Sequence, residues 1–420
     1  MTEARVESSQ TEGSLWKHGD FLKLWTAQTI SAVGDQFTGL AIPLIAALVL
    51  QATPWQMGLL TAFERAPFLI IGLFAGVWVD RLPRRPILIA GDLGRALVLL
   101  SIPVAAIAGA LNMVVLYVVG LTVGLLTVFF DVAYQAFLPA LVNRGQLVDG
   151  NSKLEASRSI ANLAGPSIAG VAIQTLSAPV AIVVDAVSFI ISGGVINLIQ
   201  RREPHQDRPE RSPMMAEVRE GLSVVLGNRL LRPIAGCTGT WNFFSSALSA
   251  LFILFVTRDL GLGPLQIGLI FSIGNVSGVV GALSAGWLGV RLGLGRAIVG
   301  GAVIGTAAAI PIALATPHTA FPVLILSGLV SSFAAPVYNI NQVSLRQAIT
   351  PHRLQGRMNA TMRFVVWGTM PFGGLLGGVL GEALGLRPAI TITAVGTLFS
   401  LLWVLFSPVR GLRTIPVPVN

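Results

Sequence analysis

The chain has 420 residues, of which 53% are hydrophobic and 11% are charged, and its formal net charge is +9. Ordinary soluble domains carry about 25% charged residues, so this composition excludes a protein whose whole surface faces water. The basic residues are spread over short polar connections and do not form one patch, which argues against a nucleic-acid-binding protein. We therefore expect lipid to cover much of the surface.

Twelve apolar runs follow one another along the chain. They lie at 21–50, 55–79, 87–109, 112–141, 156–176, 179–200, 233–257, 264–289, 297–315, 319–345, 358–381 and 388–407. A run of about twenty residues can cross a hydrocarbon layer roughly 30 Å thick as a helix. The runs show no two-residue alternation, which excludes barrel strands. The pattern predicts an all-α membrane protein with twelve transmembrane helices.

Positive charge is distributed unequally between the two sets of connections. The connections on the side of the termini hold most of the arginines, among them Arg81, Arg84, Arg85, Arg144, Arg291, Arg296, Arg353, Arg357, Arg410 and Arg413. The opposite connections hold Arg258 and Arg387. Because basic loops stay inside the cell, we expect a multi-pass protein of the bacterial cytoplasmic (inner) membrane with both termini in the cytoplasm.

One long polar connection, 201–232, divides the runs into six and six. It includes a charged patch from Glu217 to Arg229 that can form a surface helix. The division predicts a cytoplasmic N-terminal segment (1–20), a six-helix lobe (21–200), a cytoplasmic central loop (201–232), a second six-helix lobe (233–407) and a cytoplasmic tail (408–420). A weak repeat supports two pseudo-symmetric lobes, since Gly76 and Arg81 fall in register with Gly286 and Arg291.

Ionisable residues inside the runs are the candidates for chemistry, because a charge in hydrocarbon is costly unless it faces a cavity or a partner. The proton or substrate candidates are Asp35, Glu64, Arg65, Asp131 and Asp185, and Asp92, Arg95, Arg158 and Arg363 lie nearer the cytoplasmic ends. A carboxyl group that faces a cavity can exchange a proton each time the cavity opens, as proton coupling requires.

Asp35 lies about fourteen residues into the first run, near the middle of the membrane. It is predicted to bind a proton or a cationic substrate; the alternative is a structural hydrogen-bond acceptor. Glu64 and Arg65 point about 100° apart on a helix, so one can face a cavity while the other pairs with a neighbour. Asp35 and Asp131 are the two possible partners of Arg65.

For the other two acids the structural alternatives carry more weight. Asp131 is within reach of Arg95 or Arg158, which favours a charge pair that holds helices together. Asp185 is expected near the outer end of the sixth run, close to water.

Several motifs resemble those of the major facilitator superfamily. The segment Gly76-x-x-x-Asp80-Arg81-x-x-Arg84-Arg85 resembles its signature loop between helices two and three, with Pro83 where glycine is usual. Gly165-Pro166-Ser167-Ile168-Ala169-Gly170 is similar to a motif of its proton-coupled drug antiporters. Gly34-Asp35 and Ala136-Phe137-Leu138-Pro139-Ala140-Leu141 resemble the branch of macrolide exporters and enterobactin-type siderophore exporters.

The resemblance implies two six-helix lobes that alternate access to a central cavity. It implies export of small hydrophobic or amphiphilic molecules by proton antiport, with a dedicated exporter of a siderophore or other secreted metabolite as the alternative. The Asp80 loop would then pack against the start of helix eleven, where Arg357 or Arg363 can partner it. The fourth run lacks the arginine that many drug–proton antiporters use there, so their proton relay does not transfer directly.

Motifs of other protein classes are missing from the sequence. There is no phosphate-binding Gly-x-x-x-x-Gly-Lys-Ser/Thr segment, and the four histidines lack metal-ligand spacing. We therefore expect no enzyme activity, no cofactor, no metal and no nucleic-acid partner. A membrane-embedded enzyme or a receptor is the alternative from another class, and neither a catalytic pair nor a long soluble domain supports it. The expected protein is a monomer in the bilayer that binds small-molecule substrates and protons and uses the proton gradient.

Overall fold

The computed structural model describes residues 14–79, 82–200 and 214–414. Over these residues the chain forms helices and no strand. The α-helices are α1 (Gly19–Leu44), α2 (Pro54–Ile70), α3 (Gly72–Val79), α4 (Arg84–Ile107), α5 (Met113–Leu141), α6 (Leu147–Leu176), α7 (Ala178–Asn197), α8 (Met214–Gly227), α9 (Leu231–Leu254), α10 (Pro264–Leu292), α11 (Leu294–Ala307), α12 (Ile310–Leu314), α13 (Ala320–Ile349), α14 (Gln355–Trp367), α15 (Met370–Leu384), α16 (Leu386–Thr397) and α17 (Phe399–Leu405).

Ten helical segments of the described residues are long and apolar enough to cross a membrane. They are Gly19–Val49, Arg84–Ile107, Met113–Leu141, Ala178–Asn197, Leu231–Asp259, Pro264–Leu292, Leu294–Leu314, Ala320–Ile349, Gln355–Leu384 and Leu386–Leu405. The two remaining apolar runs correspond to α2 followed by α3, and to α6. The prediction of an all-helical membrane protein is therefore confirmed.

Two helices have different ends from the sequence segments that predicted them. The run 156–176 belongs to the longer α6, which begins at Leu147, because polar residues such as Asp149 and Lys153 continue the helix with an ion pair of their own. In the central connection, the expected surface helix is α8, which begins at Met214. Polar helical turns give no hydropathy signal, so hydropathy alone does not locate the ends of such helices well.

Two helix ends repeat one another in the two halves of the chain. A turn of π-helix, Ile45–Val49, continues α1, and another, Phe255–Asp259, continues α9. Each is followed by a residue with positive φ, Gln51 at 51° and Gly261 at 70°. The register that aligns Gly76 with Gly286 also aligns these features.

The helix starts that follow these turns are matched as well. Thr53 N donates to Gln56 Oε1 at 2.9 Å before α2, and Gly263 N donates to Gln266 Oε1 at 2.9 Å before α10. In both cases a proline is the first helical residue, where its missing N–H leaves no helical hydrogen bond unmade.

The helices before α8 pack mainly among themselves, and so do those after it. In the first half α1 packs on α6 and α7, α4 packs on α5 and α7, and α2 packs on α5. In the second half α9 packs on α15, α16 and α17, and α13 packs on α10 and α11. The halves meet where α2 contacts α15 and where α6 contacts α10.

Glycines allow the close approach at both of these crossings. A Cβ on Gly58 of α2 would lie 2.6 Å from Gly378 Cα of α15, and a Cβ on Gly170 of α6 would lie 2.7 Å from the carbonyl oxygen of Pro264. Only a residue without a side chain fits at such distances. The small residues thus bring the two halves into backbone contact.

Candidate functional site

The acids and arginines of the first half gather around the middle of α1. The Asp35 carboxylate is attracted by Arg95 and Arg158 and repelled by Asp92 and Asp131. Its side chain is exposed even though it lies in the middle of a predicted span and among these charged groups. Within the described residues, Asp35 makes no ion pair.

Asp185 of α7 lies beside this site. A Cβ on Gly34 would overlap Ser188 Oγ and come within 2.5 Å of Asp185 Oδ1, so glycine is required for α7 to pack this closely. Ser188 Oγ donates to Asp185 Oδ1 at 3.1 Å. The Thr38 hydroxyl faces the same carboxylate, yet neither Thr38 Oγ1 nor Asp185 Oδ2 completes a hydrogen bond of ordinary geometry.

The expectation that Asp185 lies close to water is wrong, because its side chain is only 1% exposed. The position of Asp185 near the end of its helix suggests access to water. The packing of α1 over α7 buries the side chain instead. Asp185 is therefore a buried carboxyl group with one unpartnered oxygen, directly next to Asp35.

Asp92 and Arg95 of α4 form a buried ion pair. Arg95 Nη2 donates to Asp92 Oδ1 at 2.5 Å, and Ser192 Oγ donates to Asp92 Oδ2 at 2.7 Å. The guanidinium carbon lies 4.2 Å from the ring centroid of Phe130 and 4.0 Å from that of Phe189. Arg95 is thus held by Asp92, and this well-satisfied pair is a fixed charge neighbour of the cavity.

Asp131 of α5 is partly buried, and the positive charges of Arg95, Arg158 and Arg363 act on its carboxylate. It makes no ion pair of salt-bridge distance within the described residues. Arg95 and Arg158 therefore attract the Asp131 carboxylate from a distance, and the predicted direct charge pair does not form among the described residues.

Glu64 and Arg65 of α2 point in different directions, as their adjacent positions predict. A Cβ on Gly120 of α5 would come within 3.0 Å of Glu64 Cγ, so Glu64 faces α5. Arg65 is exposed. Neither of the pairings considered for Arg65, with Asp35 or with Asp131, forms among the described residues.

Asp80 and Arg81 of the predicted gating loop lie outside the described residues, whereas Arg84 and Arg85 lie within them. Arg84 is buried at 8% exposure. Arg85 donates to the Asn197 carbonyl and, at 3.2 Å, to Asn197 Oδ1 at the end of α7.

The two arginines predicted to partner this loop belong to α14. Arg357 forms an ion pair with Glu220 of α8, and the Arg363 guanidinium lies 5.0 Å from the centroid of the Trp367 ring. The surface helix α8 is therefore docked on the start of α14.

The segment around Gly165 and Pro166 places α6 between the two halves. A Cβ on Gly165 would overlap Gln36 Cγ and come within 2.8 Å of Gln36 Cβ, so Gly165 makes room for Gln36 of α1. Gln36 Nε2 donates to Asn162 Oδ1 at 2.9 Å. On the other side, Ser167 N donates to Ser272 Oγ of α10 at 2.9 Å.

Pro166 has a further effect on this segment. It has no N–H, so the carbonyl of Asn162, four residues earlier, lacks its helical donor. Asn275 Nδ2 of α10 donates to that carbonyl at 2.8 Å. Sequence reasoning missed Gln36, Asn162 and Asn275; the available signal was three uncharged polar residues within predicted spans.

A cavity of about 310 Å³ lies inside the second half. Its walls come from α9, α10, α11, α12, α13 and α16 and include the rings of Trp241, Phe252 and Phe271. Hydroxyl groups and Asn275 supply its polar surface, and none of the described residues that line it is charged. The candidate site thus has charged side chains in the first half and only uncharged polar groups around the cavity of the second half.

Metal ligation has no basis in the described part of the chain, where no three histidine, cysteine, aspartate or glutamate residues are placed to hold an ion. Membrane-length helices around buried charges, with a cavity among the helices of the second half, are the features of a multi-pass membrane transporter.

The chain belongs to the transmembrane secretion effector family, whose model matches residues 14–416. The resemblance to exporters of the major facilitator superfamily is thereby confirmed, and enzyme families are not indicated.

Relatives of known name are similar over most of their length. The multidrug efflux pump Tap of Mycolicibacterium fortuitum is 28% identical over 389 residues, which cover 88% of this chain and 91% of the relative. The enterobactin exporter EntS of Salmonella typhi is 24% identical over 350 residues, 81% of each chain.

A bacterial homologue of the iron transporter ferroportin has the same fold in its inward-facing state. Its TM-score is 0.74 at 17% identity, and the match covers 94% of this chain and 99% of the other. The outward-facing state of that homologue gives a TM-score of 0.61 at 18% identity, with 92% and 98% covered.

Proposed function

We propose that this protein is a secondary active exporter of small hydrophobic or amphiphilic molecules, driven by proton antiport and acting in multidrug or antibiotic efflux. The similarity to the efflux pump Tap over 88% of the chain supports the export of such molecules. The single observation that carries proton coupling is Asp35, an accessible acid in the middle of a span that makes no ion pair within the described residues.

The proposed architecture has twelve spans in two pseudo-symmetric six-helix lobes, at 21–200 and 233–407, with 1–20, 201–232 and 408–420 in the cytoplasm. α2 with α3, and α6, supply the two spans beyond the ten. The matched π turns and glutamine caps support the symmetry. Corresponding packing supports it too, since α1 packs on α6 and α7 as α9 packs on α15, α16 and α17.

The proposed conformation is closed at the end of the bundle opposite the chain termini. There, Trp55 N donates to Glu382 Oε2 at 3.1 Å, and Arg258 Nη2 donates to the Ala47 carbonyl at 3.2 Å. The inner-membrane orientation inferred from the arginine-rich connections makes this the outer end. The higher TM-score with the inward-facing state of the ferroportin homologue supports the same conformation.

The proposed proton path uses the adjacent acids Asp35 and Asp185. When the outer end opens, a proton binds at Asp35 and removes its attraction to Arg95 and Arg158. Asp185 accepts the same proton deeper in the lobe, since its Oδ2 lacks a partner. Return to the inward-facing state releases the proton to the cytoplasm. Asp131, Glu64 and Arg65 are secondary candidates for substrate or proton contacts.

The proposed gate uses the Asp80 loop and α14. Arg84 and Arg85 supply its basic charge at the start of α4, and Arg357 and Arg363 of α14 are the proposed partners of Asp80. Because Arg357 also holds Glu220, the central segment takes part in the gate. The working unit is proposed to be the monomer.

The test is transport in proteoliposomes loaded with a candidate compound under an imposed pH gradient. We expect uphill movement that stops when the gradient is dissipated. Asp35→Asn should abolish uphill movement while counterflow exchange persists, and Asp35→Glu should retain part of it. Gln36→Glu, which adds an acid one position away, should not rescue Asp35→Asn. Uphill transport by Asp35→Asn at the unmodified rate would refute the assignment of Asp35.

A dedicated exporter of a siderophore or another secreted metabolite is the second candidate. The similarity to EntS over 81% of the chain favours it. A dedicated exporter would move one metabolite class and leave unrelated amphiphiles in place, so a panel of unrelated compounds in the same assay separates the two.

A further inference from the structure

The cavity of the second half has the features of a binding site rather than of a packing defect. It is partly open and holds about 310 Å³, at the lower end of the roughly 300–1,000 Å³ of small-molecule pockets. Flat apolar walls come from Trp241 and Phe271, and hydroxyls come from Ser249 and Ser327. Aromatic surfaces with a few placed polar groups are typical of small-molecule sites.

One polar group in the wall lacks a partner. Ser327 of α13 is 4% exposed, and its Oγ makes no hydrogen bond. Serine hydroxyls in helices commonly bond to a carbonyl of the preceding turn, as Ser344 of the same helix does with Ile340 at 2.8 Å. An unpartnered buried hydroxyl costs free energy. Because almost none of the Ser327 Oγ surface is accessible, a ligand in the cavity gains this hydrogen bond only when the wall adjusts around it.

The cavity is unsuited to a charged ligand. None of the described residues that line it is an acid or a base, so an ion there would lose its hydration without gaining a counter-charge. The acids lie in the other half, around Asp35. An uncharged aromatic body with a hydrogen-bonding oxygen or nitrogen fits the walls and the hydroxyls together.

The cavity is linked to the acidic site by a chain of hydrogen bonds. Asn275 lines the cavity and donates to the Asn162 carbonyl, and Asn162 Oδ1 accepts from Gln36, the neighbour of Asp35. A ligand that contacts Asn275 therefore acts on the element that joins α10, α6 and α1.

We propose that this cavity is the substrate subsite and that it selects uncharged aromatic amphiphiles over cationic ones, with Asn275 and Asn162 connecting its occupancy to the Asp35 site. This proposal rests on the proposed export function and names its substrate class.

The first test compares two dyes that share one benzophenoxazine ring system. Nile red is uncharged and has a carbonyl oxygen where Nile blue has a protonated imine. We expect cells that produce the protein to expel Nile red in preference to Nile blue. Ser249→Trp should lower Nile red efflux roughly tenfold, because a large ring would fill the cavity. Ser101→Trp, at an exposed position of α4 outside the cavity, is the matched control and should keep normal efflux.

The second test measures binding without transport. The one cysteine, Cys237, is buried, so Cys237→Ser with Ser249→Cys gives a single accessible reporter in the wall. Nile red should slow the reaction of this cysteine with N-ethylmaleimide roughly tenfold, as expected for an occupied cavity, and Nile blue should not. This measurement also covers the case in which Ser249→Trp fails to fold.

Three outcomes would overturn the proposal: normal Nile red efflux by Ser249→Trp, equal efflux of both dyes, or labelling that Nile red leaves unchanged. Loss of pH-driven transport of every compound with intact Nile red protection would instead refute the export function and leave the site standing.

Discussion

Asn275 of α10 donates a hydrogen bond of 2.8 Å to the backbone carbonyl of Asn162 in α6. That carbonyl is the one Pro166 leaves without a helical donor. A residue of the second half thus completes the backbone hydrogen bonding of a helix in the first half, where unsatisfied polar groups are costly. The proline of the antiporter-like motif therefore creates a connection between the two halves.

This relationship predicts a measurable coupling between Asn275 and Pro166. Asn275→Ala should destabilise the protein by about 0.5–1.5 kcal/mol, because it removes the hydrogen bond to the Asn162 carbonyl. Pro166→Ala restores a helical N–H, so in the Asn275→Ala background it should recover roughly half of that loss. Thermal unfolding of the four proteins in detergent measures the interaction. Additive effects of the two substitutions would contradict the explanation.

The buried pair of Asp92 and Arg95 predicts a second non-additive result. Asp92→Asn or Arg95→Met alone should cost about 3–5 kcal/mol, since each leaves one buried charge uncompensated. The double variant should lose less than either single variant, with methionine packing between Phe130 and Phe189 in place of the guanidinium. The unfolding temperatures of the two single variants and the double variant measure these losses. A double variant that is less stable than both single variants would refute the view that charge compensation dominates.

Gly34 and Gly39 form a matched pair on α1. Gly34→Ala places a methyl group against Ser188 and Asp185, whereas a Cβ on Gly39 meets nothing within 4 Å. We expect Gly34→Ala to destabilise by about 1–3 kcal/mol through overpacking and to lower proton-coupled transport. Gly39→Ala should be neutral or slightly stabilising. Expression level, unfolding temperature and transport rate of both variants provide the comparison; equal behaviour would show that the α1–α7 contact adjusts freely.

The matched positive-φ residues Gln51 and Gly261 predict different responses to exchange. Gly261→Ala should destabilise by about 1 kcal/mol, because a Cβ is strained in the left-handed region. Gln51→Gly removes that strain but adds chain entropy to the unfolded state, so its effect should stay within about 0.5 kcal/mol of zero. Thermal unfolding of both variants measures the contrast. A larger loss for Gln51→Gly than for Gly261→Ala would mean that the Gln51 side chain, which donates to the Leu48 carbonyl at 2.9 Å, determines the turn.

Hydropathy was sufficient to predict the helices, since lipid requires both apolar side chains and internally satisfied backbone groups. The same reasoning singles out Asp35 as a candidate, because a charge in mid-span has few structural explanations. Neutral polar residues such as Asn275 and Ser327 cannot be singled out from the sequence. The free-energy cost of placing them in a membrane helix is small, and their hydrogen-bond partners depend on tertiary packing. Asp185 was misplaced because its burial depends on Gly34 of another helix.

The π turns that end α1 and α9 have a consequence for the history of the chain. Such a turn is an α-helix that has accepted one additional residue. Under the proposed two-fold repeat, the insertion occupies the same place in each copy, before the same proline and glutamine. It would therefore be older than the duplication, a feature of an ancestral six-helix protein that both descendants inherited.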